Sequence, residues 1–149
     1  MTRTFTVAAA PPEVLDYLKD LGHAPDWHPG TLSCDRLGTE PVDVGARWHA
    51  VVKIAGVELE LTRELTRLEP GRVAFTGTHD VAATLDEITI TPTGAGGSTL
   101  SYHATIEFRG TAELGTPIAE VVFEKAGADA EAALTRILGT AAWVSDGRL

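Results

Sequence analysis

Between Thr31 and Phe108, apolar and polar residues alternate with a period of two, turn residues interrupt them at short intervals, and no helical window of useful length intervenes. Successive side chains of an extended strand point to opposite faces, so this pattern describes strands with one oily and one wet face. A meander of antiparallel strands satisfies it. Strands are predicted at 31–38, 46–54, 57–68, 72–79, 83–91 and 98–109. The breaks are Pro41 to Gly45, Ala55-Gly56, Glu69-Pro70-Gly71, His79 to Ala82 and the glycine-rich Thr93 to Gly97, all short enough to join neighbouring strands.

A sheet with one apolar face needs a cover, and the ends of the chain supply it. Thr2 to Ala8 alternates with Phe5 and Val7 on one face, and Pro11-Pro12-Glu13 then places proline and an acid where a helix begins. Val14, Leu15, Leu18 and Leu21 keep helical spacing, Gly22 is expected as a left-handed C-terminal cap, and 23–30 has room for one further helical turn. After Gly110 the helical period returns, with Pro117 near its start, a run from Ile118 to Leu138, and Gly139 at its end. Val122, Ala126, Ala130, Ala133, Leu134 and Ile137 share its apolar arc, while Glu120, Glu124 and Glu131 lie opposite. The only apolar surface broad enough to receive that arc is the inner face of the sheet. The predicted class is α+β: a curved antiparallel seven-stranded sheet wrapped around a long C-terminal helix, with two short helices after strand 1. Residues 1–139 are expected to form one domain, and 140–149, with Trp143, a tail.

The chain is 149 residues long, 44% apolar and 22% charged, a balance that suits one folded core rather than a disordered or membrane-embedded chain. Twelve Lys and Arg against 21 Asp and Glu give a net charge of −9, which repels polyanions, so nucleic acid is not an expected partner. Residues 1–10 carry no apolar stretch of secretory or spanning length, and a cytoplasmic protein without membrane insertion is expected. Cys34 is the one cysteine, and the five histidines are scattered without a convergent carboxylate set, so neither a disulfide nor a metal site is expected. No cofactor is expected either. Gly94-Ala95-Gly96-Gly97 joins two strands and lacks the helix N-terminus that binds phosphate, and no nucleophile elbow or His-Glu-x-x-His segment is present.

A curved sheet around one helix leaves a wedge of space unless large side chains fill it. Here the helix arc is rich in alanine and the aromatic residues are few, with Trp27, Trp48, Phe75, Tyr102 and Phe108 the candidates for the interior. Either small side chains interdigitate into a closed core or the wedge remains as an apolar pocket. Alternation assigns its walls. Leu100, Tyr102, Ala104, Ile106 and Phe108 face inward on the last strand, as do Trp48, Ala50, Val52 and Ile54 on another, which turns His49 and His103 outward. Val57, Leu59, Leu61 and Leu65 share one side and carry Arg63 with them; Ile88 and Ile90 likewise carry Asp86. An Arg63–Asp86 pair across the cavity would satisfy both groups and could orient a ligand carbonyl or hydroxyl, whereas a bulge would turn one or both outward.

His79 shares the parity of Val73 and Phe75 but ends a hairpin, where it is either an acid or base at the mouth or a solvated turn residue. Trp27 either walls the pocket or packs the second short helix onto the sheet, and His28, beside a proline, is expected to be exposed. Candidate catalytic residues are thus Arg63, Asp86, Tyr102 and His79. Candidate ligand contacts are Trp27, Trp48, Val52, Leu61, Phe75, Ile88, Ala104, Ile106, Val122 and Ala126. Lys125 and Asp129, at i,i+4, are expected to form a surface ion pair, or else to present a cation at the cavity rim.

Several segments recur in order over residues 4–138: Thr6-Val7-Ala8-Ala9 running into Pro11-Pro12-Glu13-Val14, Asp26-Trp27 before Pro29-Gly30, and Val44-Gly45 opening a strand. Leu68-Glu69-Pro70-Gly71-Arg72-Val73, Ile90-Thr91-Pro92-Thr93-Gly94 and the long closing helix complete the series. Together they resemble the SRPBCC superfamily, with the START and birch-pollen-allergen-like helix-grip fold, and most nearly its polyketide cyclase/dehydrase and lipid-transport branch. The resemblance implies a cavity between sheet and C-terminal helix that binds or transports a small hydrophobic molecule, such as a polyketide, lipid or isoprenoid-like compound. It equally admits a polyketide cyclase or dehydratase using the same cavity, or a protein-interaction or chaperone-cofactor role on the outer sheet face. A homodimer is left open. Convergence of Arg63, Asp86 and Tyr102 in an open pocket would favour the enzyme, a wholly apolar cavity the carrier, and a filled core the interaction protein.

Overall fold

A computed structural model of the chain describes residues 1–54, 56–80, 82–108 and 116–139, with the backbone alone for 54, 108 and 116–124. The first strand, β1 (Thr2–Val7), leads into α1 (Pro11–Leu18), a 3₁₀ turn (Leu21–His23) and the short α2 (Ala24–Trp27). Six strands follow: β2 (Thr31–Leu37), β3 (Arg47–Ile54), β4 (Val57–Glu69), β5 (Arg72–His79), β6 (Ala82–Pro92) and β7 (Ser98–Phe108). The long helix α3 (Thr116–Leu138) closes the described chain. The strands form one antiparallel sheet in the order β1-β7-β6-β5-β4-β3-β2. Each of β2 to β7 therefore pairs with its neighbour in sequence, as the short turns require. Only β1 is placed non-locally, with Phe5 opposite Leu100 on β7.

The inner face of this sheet and α3 sandwich the core. Ala130, Leu134 and Leu138 of α3 are buried, as are Trp48, Leu61, Leu65, Val73, Phe75, Ile88 and Leu100 of the sheet. Burial of a leucine such as Leu134 contributes about 1.5–3 kcal/mol. Polar contacts pin the end of α3 to the other end of the chain: Ala8 and Ala9 amides donate to the Gly139 and Leu138 carbonyls at 2.8 and 3.0 Å. Arg3 on β1 pairs with Glu131 at 3.0 Å. Gly139, at φ 85°, ends the helix in the left-handed conformation that glycine tolerates best.

Two local expectations are corrected. The helix begun at Pro11 ends at Leu18, and Gly22 is no left-handed cap; it lies in the 3₁₀ turn, where its amide donates to the Asp20 side chain at 2.9 Å. The aspartate offers the backbone a competing hydrogen bond, and the α-helix stops short of it. Val57 is 51% exposed, because it opens β4 at a hairpin tip where the strand overhangs the core. Val122, Phe108, Ile54 and the tail with Trp143 lie outside the residues whose side chains are described. Among the described residues no helix is long and apolar enough to cross a membrane.

Candidate functional site

Strand register lays the site out in rows. Arg63 on β4 lies opposite Gly77 on β5, Gly77 opposite Thr84 on β6, and Thr84 opposite Ile106 on β7. The adjacent row runs Leu65, Phe75, Asp86, Ala104. Arg63 and Asp86 are thus two strands apart, and Gly77 leaves a gap between them that the arginine crosses. A Cβ on Gly77 would fall 3.0 Å from Arg63 Cδ, 3.2 Å from its Nε, and against Thr84 Oγ1. Over this gap Arg63 Nη2 donates to Asp86 Oδ1 at 2.8 Å, and Nε donates to the Thr76 carbonyl at 3.3 Å. Both residues are buried, at 3% and 4% exposure. β4 does carry an irregularity, but it falls between Leu65 and Arg67, past Arg63, so the inward parity survives.

The second oxygen of Asp86 has two partners. The Tyr102 hydroxyl donates to Oδ2, and His28 Nε2 donates to the same oxygen at 3.1 Å. A carboxylate only accepts, so His28 carries its proton on Nε2 in this contact, and in the neutral ring Nδ1 accepts from the Thr31 hydroxyl at 2.8 Å. His28 is therefore not the exposed residue expected from its proline neighbour; its side chain is 19% exposed. The turn explains why. Gly30 adopts φ 81° and its carbonyl receives the Lys53 amide at 2.7 Å, which draws the segment after α2 in under β3. Trp27 is buried edge-on to Tyr102 and His28, with ring centres 6.0 and 5.5 Å away.

Burial disfavours a charge on Asp86, yet Arg63 and the hydrogen bonds from His28 and Tyr102 outweigh it and hold the carboxyl well below the usual carboxylate range. Burial, reinforced by the Asp86 charge, pushes the Tyr102 phenol well above its ordinary value. The cluster is an ionised carboxylate held by a cation, a neutral phenol and an imidazole. Both Asp86 oxygens are occupied, which suits it to orient partners rather than to abstract a proton.

Beside this cluster a cavity of about 280 Å³ opens between sheet and α3. Val52, Leu61, Ala104, Ile106 and Ala126 form apolar walls; Arg63, Asp86, Tyr102 and His28 contribute the polar part, and Thr84 lines it with its hydroxyl oxygen buried. Lys53, Lys125 and Asp129 also line it and are exposed, and Lys125 bonds Asp129 at 3.0 Å. The wedge is therefore not wholly filled.

Of the residues singled out from the sequence, Arg63, Asp86 and Tyr102 come together on the cavity and His79 does not line it. His79 pairs with Ala82 at the far end of the β5–β6 hairpin. Trp27, Trp48, Phe75 and Ile88 are buried but are not cavity walls; they pack the core behind it, as with Trp48 and Phe75, edge to face at 6.0 Å. Volume and inward parity marked them as interior without telling core from wall. His28 and Thr84 were missed. Thr84 shares the parity of Asp86, so alternation could have found it, whereas nothing local signals the inward turn of His28. Among the described residues no three His, Cys, Asp or Glu side chains gather to hold a metal ion.

Solved structures share this architecture. A START superfamily protein from Mycobacterium smegmatis is 16% identical, with 93% of this chain and 95% of that one covered and a TM-score of 0.76. The Zhui aromatase/cyclase from Streptomyces sp. R1128 is 19% identical, with 93% and 92% covered and a TM-score of 0.75. A protein from Thermus thermophilus is 16% identical, with 100% and 99% covered and a TM-score of 0.71. Likeness at such identity speaks to fold alone. No curated protein sequence matches this chain significantly. The family model described as polyketide cyclase/dehydrase and lipid transport matches residues 1–141, so the chain belongs to that family, within the START-like helix-grip fold expected from its sequence.

Proposed function

We propose that this protein binds a small, largely apolar molecule between sheet and C-terminal helix and carries or sequesters it, with a polar oxygen of the guest turned toward the Arg63–Asp86–Tyr102–His28 cluster. The observation that supports this best is an apolar-walled cavity ending on polar groups that already satisfy one another. Such sites gain affinity from buried apolar area and orientation from a few placed polar groups. At about 280 Å³ the space suits a small guest, of polyketide, lipid or isoprenoid-like character.

The convergence of Arg63, Asp86 and Tyr102 favours a second reading, a cyclase or dehydratase. In a ring-closing aldol condensation a carbon next to one carbonyl loses a proton and bonds to a second carbonyl carbon, whose oxygen takes up a proton to become a hydroxyl; that hydroxyl then leaves with a second proton from the attacking carbon as water, and a carbon–carbon double bond forms. No oxidant or reductant is needed. Arg63 could stabilise the developing oxyanion and the cavity could enforce proximity. Binding remains the leading reading, because Asp86 is held ionised with both oxygens engaged and offers no free base.

Native mass spectrometry of the purified protein, followed by extraction of what co-purifies, separates the two. An unchanged apolar molecule supports the carrier. Conversion of a supplied linear β-polyketone into a cyclised, dehydrated product, lost in Arg63→Met, would establish the enzyme instead. Failure to retain any guest, together with failure to bind a neutral fluorophore such as 1-aminoanthracene, would overturn both.

A further inference from the structure

The four polar residues on the cavity differ in how firmly their charge is fixed. Arg63 keeps its cation, the Asp86 carboxyl is held well below the usual carboxylate range, and the Tyr102 phenol is held well above its ordinary value. The imidazole of His28 is the one side chain among them of a kind that changes charge between pH 5 and 8. It is also within reach of a guest. The His28 side chain lines the cavity and is 19% exposed, against 4% and 6% for those of Arg63 and Asp86.

The contacts of the ring accommodate a second proton. Nε2 already donates to Asp86 Oδ2 at 3.1 Å, and Nδ1 faces the Thr31 hydroxyl at 2.8 Å, a group that donates to a neutral ring and, by turning its O–H away, accepts from a charged one. The charged and titratable groups facing His28 are Asp86 of β6, Arg63 of β4 and Tyr102 of β7. Lys53 of β3 and the Lys125–Asp129 pair of α3 line the same cavity and are exposed, as is Asp26 on α2 beside the ring's own turn. With the ring neutral, the buried charges of Arg63 and Asp86 cancel. With the ring protonated, the cluster carries one net positive charge. An organic anion entering the apolar space sheds hydration and needs an uncompensated cation close by, which the neutral cluster lacks and the protonated cluster offers. An uncharged guest gains little from the change.

We propose that His28 is the specificity-determining residue for the charge of the guest: with the ring neutral the cavity takes uncharged apolar molecules, and with the ring protonated it also takes apolar molecules that bear one ionised acid group, such as a carboxylate. This deepens the ligand-binding reading above and rests on it. His28 acts through its charge, since both ring nitrogens are already engaged. Displacement of 1-aminoanthracene at about pH 8 and about pH 5.5 tests it, with 2-acetylnaphthalene, uncharged at both, and naphthalene-2-sulfonate, ionised at both. The sulfonate should compete about tenfold better in acid, while the ketone stays within about twofold of its value. His28→Gln, whose amide can still donate to Asp86 and accept from Thr31 but takes up no proton, should flatten the sulfonate's pH dependence. Calorimetry in two buffers of different ionisation enthalpy should show proton uptake as the sulfonate binds the parent protein and none in the variant. Circular dichroism verifies folding at both pH values; should His28→Gln not fold, the proton count on the parent decides, and zero uptake refutes the inference. A sulfonate affinity that does not rise in acid, or a rise that survives in His28→Gln, would overturn it and leave ligand binding standing. If the folded protein bound neither the fluorophore nor the ketone at either pH, the ligand reading would fall and this inference with it.

Discussion

Gly77→Ala isolates the passage of Arg63 across β5. The backbone at Gly77 is not in the left-handed region, so on conformational grounds alanine in a strand would stabilise by about 0.5–1 kcal/mol. Sterics point the other way. The new methyl would stand 3.0 and 3.2 Å from Arg63 Cδ and Nε and collide with Thr84 Oγ1, at a site where both flanking side chains are held by the sheet. Overfilling of this kind costs about 1–3 kcal/mol, and separation of the buried ion pair would raise the loss to about 3–5 kcal/mol. The net expectation is destabilisation by about 1–2 kcal/mol. With a urea slope of about 2 kcal/mol/M, the unfolding midpoint should fall by about 0.5–1 M at unchanged slope. Thr84→Ala in the same background removes the atom that the methyl strikes and should recover about 1 kcal/mol as a coupling energy in the double-mutant cycle. A midpoint for Gly77→Ala at or above that of the parent would refute the claim that the glycine is there to let the arginine through.

Other measurements probe the same interior. Asp86 has a folded-state pKa depressed below its ordinary 3.8, so the stability it contributes is complete above that value and is lost as the pH falls below it. Arg63→Met should cost about 3–5 kcal/mol at neutral pH and move acid unfolding to higher pH, read by urea melts across pH; an unchanged acid limb would contradict the pairing. The two tyrosines, Tyr17 and Tyr102, are both raised above 10.0, Tyr17 by burial and then Asp26, Tyr102 by burial and then Asp86. Their contribution is intact below pH 10 and fades above it, so ultraviolet titration should show phenolate forming late and, for Tyr102, together with alkaline unfolding. Burial pushes the Cys34 thiol up to about 11, which leaves about one part in a thousand as thiolate at pH 8. Ellman's reagent should label it slowly in the native protein and at once in urea; rapid native labelling would place Cys34 nearer the surface than its burial implies.

Most of the sheet was legible because alternation is a local property that each strand displays on its own. The parities of Leu61, Leu65, Ile88 and Ile90 were enough to carry Arg63 and Asp86 inward, and the α3 arc through Ala130 and Leu134 announced what the helix covers. Where local rules competed, the reading faltered: Asp20 diverted the helix that Gly22 was expected to cap, and the overhang at Val57 escaped a pattern that takes no notice of where a strand outruns its core. Parity also could not tell a cavity wall such as Ala104 from buried packing such as Phe75 behind it.

What the chain's order of residues determined by itself was the set of strands, the face that most strand residues take and the presence of a long covering helix, because these follow from periodicity along a connected backbone. Tertiary structure alone decided that β1 closes onto β7, that Gly77 opens a lane for Arg63, and that the His28 turn swings under β3 to meet Asp86. Those contacts join residues far apart in sequence, 58 positions in the case of His28 and Asp86, and depend on register and loop path, which no window of neighbouring residues encodes.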